Sequence, residues 1–274
     1  MSVALQAGDL TASATLVRRP AQELLHGCVA IQGDGDGWVR PRRFSDVQLR
    51  ALGSVNAWHP GLYRAMARAT AGISLELETD SSELALELQL DPEPAGTRAM
   101  LDHVTKPVTV GLGGKMSVGD TTPSSHDGFG IEVDGRLRMP VMPQLGTRTL
   151  SLCVDDPEKS PAAGVTQLPG LGAAHRVRIW LPCLRGCALR SVVGNGTKIE
   201  ALPMRRQLLV LGDSIAQGFV CGDPGQSWPA LLARDLDLDL VNQGIGGQVF
   251  QPGTLVGLRP EADVANLADR KSVV

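Results

Sequence analysis

This 274-residue sequence predicts an all-β sandwich followed by the first part of a parallel-sheet α/β domain. Three observations carry that prediction. Up to about residue 203, apolar residues alternate in short runs separated by turn residues, as in strands with one face in a core. RRQLLVLGDS (205–214) instead holds a continuous apolar run of strand length, as a strand covered on both faces does. A helical stretch and a second apolar run, LDLVNQG (238–244), complete the strand, helix, strand order of a parallel unit.

The elements follow in chain order. The stretch from 46 to 69 carries Leu49, Leu52, Leu62 and Met66 at helical spacing, interrupted by Pro60. ISLELETDSSELALELQL (73–90) holds two alternating runs around Asp80-Ser81-Ser82 and reads as a hairpin. The Gly/Ser/Thr-rich stretch GLGGKMSVGDTTPSSHD, ending at Asp127, reads as a loop. GIEVDGRLRM places Asp134-Gly135, a tight-turn dipeptide, between short strands. TRTLSLCV, HRVRIWLP and CALRSVVG follow, each bounded by Gly, Pro or polar clusters, and their even spacing suggests a sandwich. Asn195-Gly196-Thr197 reads as a hairpin turn, and Gly33 to Trp38 as a glycine-rich turn with too few oxygen ligands for calcium. Ser227 is positioned to cap a helix through WPALLARDL, with Pro229 tolerated in its first turn. The boundary falls near Pro203, giving residues 1–203 and 204–268. For Trp38, Trp58, Trp180 and Trp228 core packing is favoured over sugar stacking, with Trp38 and Trp58 beside turns.

Composition narrows the function classes. A net charge of −3 and a pI near 6.0 imply neither nucleic acid nor an anionic membrane as partner. No apolar run reaches the roughly 18 residues that cross a bilayer. MSVALQAGDLTASATLVRRP lacks the basic start and apolar core of a signal peptide, so the expected location is cytoplasmic. The five cysteines are odd in number and scattered. Cys183 and Cys187 have no second pair nearby, so buried free thiols are expected and no metal is implied.

The serine closing LLVLGDS is the chemical question. A serine hydroxyl attacks only when a base takes its proton and donors stabilise the resulting oxyanion. Ser214 stands at the carboxyl edge of a predicted sheet, where open α/β folds bind their ligands. The next strand ends in Asn242-Gln243-Gly244-Ile245-Gly246-Gly247, whose glycines let backbone N–H groups approach a substrate. Taken alone, GDS reads first as a helix cap, with the glycines merely turning the chain.

The two stretches together, GDSI after LLVL and NQGIGG after a second strand, resemble the GDSL or SGNH hydrolase family across residues 205 to about 264. The resemblance implies that Ser214 is the nucleophile and that its own N–H serves the oxyanion hole. It makes Gly247 the second oxyanion donor. Gly212 and Asp213 belong to the motif, with Asp213 read as a turn former rather than a triad acid. The run Gly212 to Ala216 lacks the second glycine of a G-x-S-x-G elbow. The β-rich part resembles the jelly-roll-like domain that precedes the catalytic one in some bacterial GDSL esterases and acyltransferases. The implied activity is a serine esterase acting on an ester, such as an acylated carbohydrate, or an acyltransferase to a natural-product hydroxyl. No cofactor is implied, and the partner is the small-molecule or carbohydrate ester itself.

Part of the family pattern is missing. Neither GxND nor DxxH occurs after Gly247, and His26, His59, His103, His126 and His175 all precede Ser214. His126, beside Asp127, is the histidine to weigh as a base from the other domain, although a solvated loop position is favoured. The closing hexapeptide DRKSVV matches the translation of a sequencing-adapter read-through, so residues 269–274 are expected to be foreign and the gene to continue past Ala268. The chain as written is then expected to be inactive. Leu208–Leu211 and Leu238–Val241 would leave apolar edges exposed, and the segment unstable, unless they pack on the β-rich part. The alternative function is a non-catalytic carbohydrate-binding module. Oligomeric state is not legible.

Overall fold

The computed structural model describes residues 16–54, 60–94, 97, 127–155, 173–219, 221–249 and 256–257. Two six-stranded antiparallel sheets share one apolar core. The first contains β1 (Val17–Pro20), β3 (Ala30–Gly33), β4 (Val39–Arg42), β6 (Glu83–Leu90), β9 (Thr149–Cys153) and β11 (Cys187–Gly194). Its order is β3-β4-β11-β6-β9, with β1 also on β11. The second contains β2 (Leu25–His26), β5 (Ser74–Thr79), β7 (Gly130–Val133), β8 (Arg136–Leu137), β10 (His175–Trp180) and β12 (Ile199–Ala201). Its order is β12-β5-β10-β7-β8, with β2 also on β5.

The period-two pattern sets which face of each strand turns inward. Leu84, Leu86 and Leu88 of β6 meet Leu75 and Leu77 of β5, and Leu150 and Leu152 of β9 share the same core as Val177 and Ile179 of β10. Each such burial contributes about 1.5–3 kcal/mol.

Two expected hairpins are crossings between the sheets. β5 and β6 do not pair with each other, nor do β11 and β12. Alternation is the same in a hairpin and in an arch over the core, so it cannot choose between them. The turn chemistry does choose. Thr79 Oγ1 bonds the Lys198 carbonyl at 2.8 Å, and the Asp80 carboxylate accepts from the Thr197 and Lys198 N–H groups at 2.9 and 3.0 Å. Gly196 N–H donates to Ser81 Oγ at 3.0 Å, so the two crossing turns brace one another. By contrast, Asp134-Gly135 makes the tight turn between β7 and β8, with φ of 49° and 76°. Gly33–Trp38 joins β3 to β4, with Asp34 Oδ1 accepting from the Asp36 and Trp38 N–H groups.

The apolar stretch near residue 50 makes two helices, α1 (Asp46–Leu52) and α2 (Pro60–Met66). Ser45 and Gln48 form a capping box at the start of α1, and Pro60 opens α2, where its missing N–H costs nothing. Trp58 and the loop before Asp127 lie outside the described residues. Among the described residues, no helix is long and apolar enough to cross a membrane.

The last sheet pairs β13 (Gln207–Gly212) with β14 (Asp239–Gly244) in parallel, with α3 (Ser214–Gln217) and α4 (Trp228–Asp235) between them. Ser227 occupies the cap position of α4, but its hydroxyl donates back to the Pro224 carbonyl at 2.9 Å instead of capping. The two strands do pack on the β-rich part. Leu208, Val210 and Leu240 are buried with Trp180 of β10 and with Ala230 and Ala233 of α4. β14 also touches backbone directly. A Cβ on Gly27 would lie 2.2 Å from the Leu240 carbonyl oxygen, and one on Gly72 2.5 Å from Asn242 Cβ.

An ionic cluster joins the start of β14 to the second sheet. Asp239 accepts from Arg205 at 2.7 Å and meets His26 Nδ1 at 3.0 Å, and Glu76 takes Arg178 at 2.9 Å and Arg205 at 2.7 Å. The donor atoms of His26, Glu76 and Asp239 lie within 4.8 Å of one another, close enough to hold a cation. The guanidinium groups of Arg178 and Arg205 already take those oxygens. Burial raises the Glu76 pKa, but Arg178, His26 and Arg205 outweigh it and hold the carboxyl below its ordinary value. Asp239 is lowered too, with burial opposed by His26 and Arg205.

Two outcomes follow from this packing. Gly72→Ala, which adds a clash at a positive φ of 76°, should cost about 2–4 kcal/mol in denaturant unfolding. Because both folded-state carboxyl pKa values are depressed, their stabilisation is present above the ordinary carboxylate range of about 4 and lost as pH falls below it. Glu76→Gln should cost about 3 kcal/mol at neutral pH and flatten that acid limb of a melting-temperature profile.

Candidate active site

The β13–β14 register places Gly212 opposite Gly244, so both chains leave the sheet at one level. Ser214 follows the first glycine by two residues, and the Ile245-Gly246-Gly247 turn follows the second. Ile245 N–H donates to the Gly212 carbonyl at 3.0 Å and ties the two exits together. Asp213 Oδ1 accepts from Ile215 N–H at 2.9 Å, capping α3, and Gly218 ends that single turn at φ +100°. Ser214 is half-buried, and Gly247 is exposed with φ +77°.

The strand-end glycines are required by close packing. A Cβ on Gly212 would lie 2.4 Å from Ala216 Cβ, and one on Gly244 would lie 2.5 Å from Gln217 N. Helix α3 therefore sits flush on both strand ends. Asn242 locks this contact, donating to the Ala216 carbonyl at 2.7 Å and accepting from Gly244 N–H at 2.9 Å.

Several residues that shape the site carry no signal in the sequence. Buried Gln217 accepts from Gly246 N–H at 2.7 Å and donates to the Cys183 carbonyl at 2.8 Å, joining the glycine turn to the β-rich part. Tyr63 of α2 donates to the Gly247 carbonyl at 3.1 Å and accepts from Val249 N–H at 3.0 Å. Gln217 lies inside the stretch SIAQG, so its place in the motif was visible although its bonds were not.

Arg43 is the other. Its fully buried guanidinium donates to the Asn242 and Gly244 carbonyls at 3.0 and 2.7 Å, and to the Ala69 and Met66 carbonyls at 2.7 and 2.8 Å. Burial pulls its pKa down to about 9, which still leaves it charged at neutral pH.

The described histidines do not approach Ser214. His26 meets Asp239 at the start of β14, the opposite end of the parallel pair from Ser214, on the order of 16 Å along the strand. His175 opens β10 and meets Asp134 Oδ2 at 2.7 Å, whereas the far end of that strand, Trp180, is the one packed near β13. His59, His103 and His126 lie outside the described residues. Asp127 is committed elsewhere. Its carboxylate accepts from the Cys183 and Leu184 N–H groups at 2.7 and 2.9 Å and faces Arg185 at 3.3 Å. Burial pushes its pKa to about 7 against the pull of Arg185. Asp127 thus orders the turn that receives Gln217. The Cys183 and Cys187 thiols are buried and free, and burial pushes the Cys187 pKa to about 12.

No protein-family model matches the sequence, and no curated protein matches it. Solved structures do. The salicylyl-acyltransferase SsfX3 from a tetracycline biosynthetic pathway aligns with a TM-score of 0.51 at 23% identity, over 85% of this chain and 51% of that one. A GDSL-like lipase from Bacteroides ovatus aligns at 0.52 and 17% identity, over 85% of this chain and 58% of that one. The chain shares their fold. The second of them is of the GDSL-like kind that GDSI resembles. The chain spans little more than half the length of either.

Arg43→Met should cost at least about 3 kcal/mol, because the buried Ala69, Asn242 and Gly244 carbonyls lose the guanidinium donor. Urea unfolding of the variant measures this.

Proposed function

We propose that the site performs acyl transfer through Ser214, the chemistry of a GDSL/SGNH-type serine esterase. The observation that carries the reading is the pairing of Gly212 with Gly244, which puts the serine and the glycine turn side by side at one sheet edge. Ser214 Oγ attacks the ester carbonyl while a base takes its proton. The Ser214 and Gly247 N–H groups hold the oxyanion, and the alcohol leaves to give an acyl-enzyme. Water then releases the acid, or a second hydroxyl takes the acyl group, so esterase and acyltransferase differ only in the acceptor.

In this reading residues 1–203 form a β-sandwich accessory domain that shapes the cleft, and residues 204–268 are the first part of the catalytic α/β domain. Residues 269–274 are a foreign tail. The substrate is an ester of a carbohydrate or another small molecule. The base is a histidine encoded after Gly247, and the 274-residue chain works poorly without it.

Fluorophosphonate labelling, which needs an activated serine, tests this on two proteins: the 274-residue chain, and the product read through from the source DNA past Ala268. The longer protein should label on Ser214, the shorter should label at least about 10³-fold more slowly, and Ser214→Ala should not label in either. Full-rate labelling of the short chain would place the base within it. No labelling in either protein would sink the nucleophile and favour a carbohydrate-binding role for the β-rich part.

A further inference from the structure

A cavity of about 810 Å³ lies between β4, α1 and another face of α2 from the one that carries Tyr63. That size suits a small organic ligand. Its charge is unlike that of the molecule as a whole. Arg40, Arg42, Arg64, Arg68 and Arg185 line it against Asp91 and Glu93, with Asp46 and Asp127 paired to Arg42 and Arg185 from behind, a local excess of one positive charge (five less four) in a chain of net charge −3.

Three of these arginines are already paired, Arg40 with Asp91 and Arg42 with Asp46, each at 2.7 Å, and Arg185 with Asp127 at 3.3 Å. Arg64 and Arg68 have no acidic partner among the described residues. Arg64 is nevertheless held in place, because its stem crosses Gly53 at the end of α1, where a Cβ would lie 2.4 Å from Arg64 Cδ. Arg185 is only 4% exposed and is held by Asp127, to whose carbonyl its Nη2 donates at 2.9 Å. A cavity that collects guanidinium groups and leaves those of Arg64 and Arg68 without an acidic partner suits an anion.

We propose that this cavity binds a small molecule carrying a diphosphate group. Adjacent phosphates present paired oxygens to the guanidinium forks of Arg64 and Arg68. Leu49 and Pro92 offer an apolar wall to the organic part. The site does not depend on Ser214 chemistry and would stand if that reading failed.

Calorimetric titration of the 274-residue chain with inorganic pyrophosphate tests the proposal. Saturable binding is expected, weakening as salt rises and falling at least about tenfold in the R64A/R68A double variant. Both side chains are exposed, so the variant should melt like the wild type; should it unfold, R68E alone must show the same loss. Absence of saturable binding to the wild type, or equal affinity in the variants, would overturn the proposal. Ser214 labelling is read separately and is indifferent to either result.

Discussion

Arg43 fixes the geometry on which the rest of the site depends. Its guanidinium sits where a further strand would lie beside β14, supplying donors to two alternate carbonyls on the edge away from β13. The same group holds the last turn of α2 through Met66 and Ala69. Helix α2 in turn carries Tyr63, which grips the glycine turn. One side chain thereby links the corner after β4, the helix and the strand that presents Gly247. A charge without a carboxylate is tolerable in such a place because its donors all meet carbonyl oxygens.

The opposite end of β14 is held by a different kind of chemistry. There Asp239, His26, Glu76, Arg178 and Arg205 make a compact array of opposite charges, with Arg205 belonging to the linker itself. The strand is thus gripped at both ends, by ion pairs at its start and by carbonyl bonds at its finish, and by direct backbone contact between. A two-stranded sheet has little stability of its own. Here its second strand borrows a surface.

What could be read in the sequence was what depends on near neighbours. Alternation in β5, β6, β9 and β10 located strands and their buried faces, and the apolar run of Leu208 to Leu211 marked a strand covered on both sides. GDSI and NQGIGG announced the two turns at the sheet edge. Partners distant along the chain were not legible. Asp80 and Asn195 both look like hairpin turns, and only their mutual bonding shows that they cross the core. Arg43 lies in the run RPRRF, where nothing separates a buried clamp from the solvated arginines beside it. Gln217 stands two residues past GDSI, but its two bonds reach Cys183 and Gly246, partners fixed only by tertiary packing.

The contact of Gly27 and Gly72 with β14 bears on the order of assembly. Every strand of the two larger sheets precedes β13 and β14 in the chain, so the platform can be complete before the last strand leaves the ribosome. Because the platform meets β14 at two glycines whose Cβ positions are already taken, it admits the strand only at one depth and spacing. The β-rich part then acts as an intramolecular template, and the late strand is moulded onto it. Such a template admits the late strand only while its own two glycines stay bare.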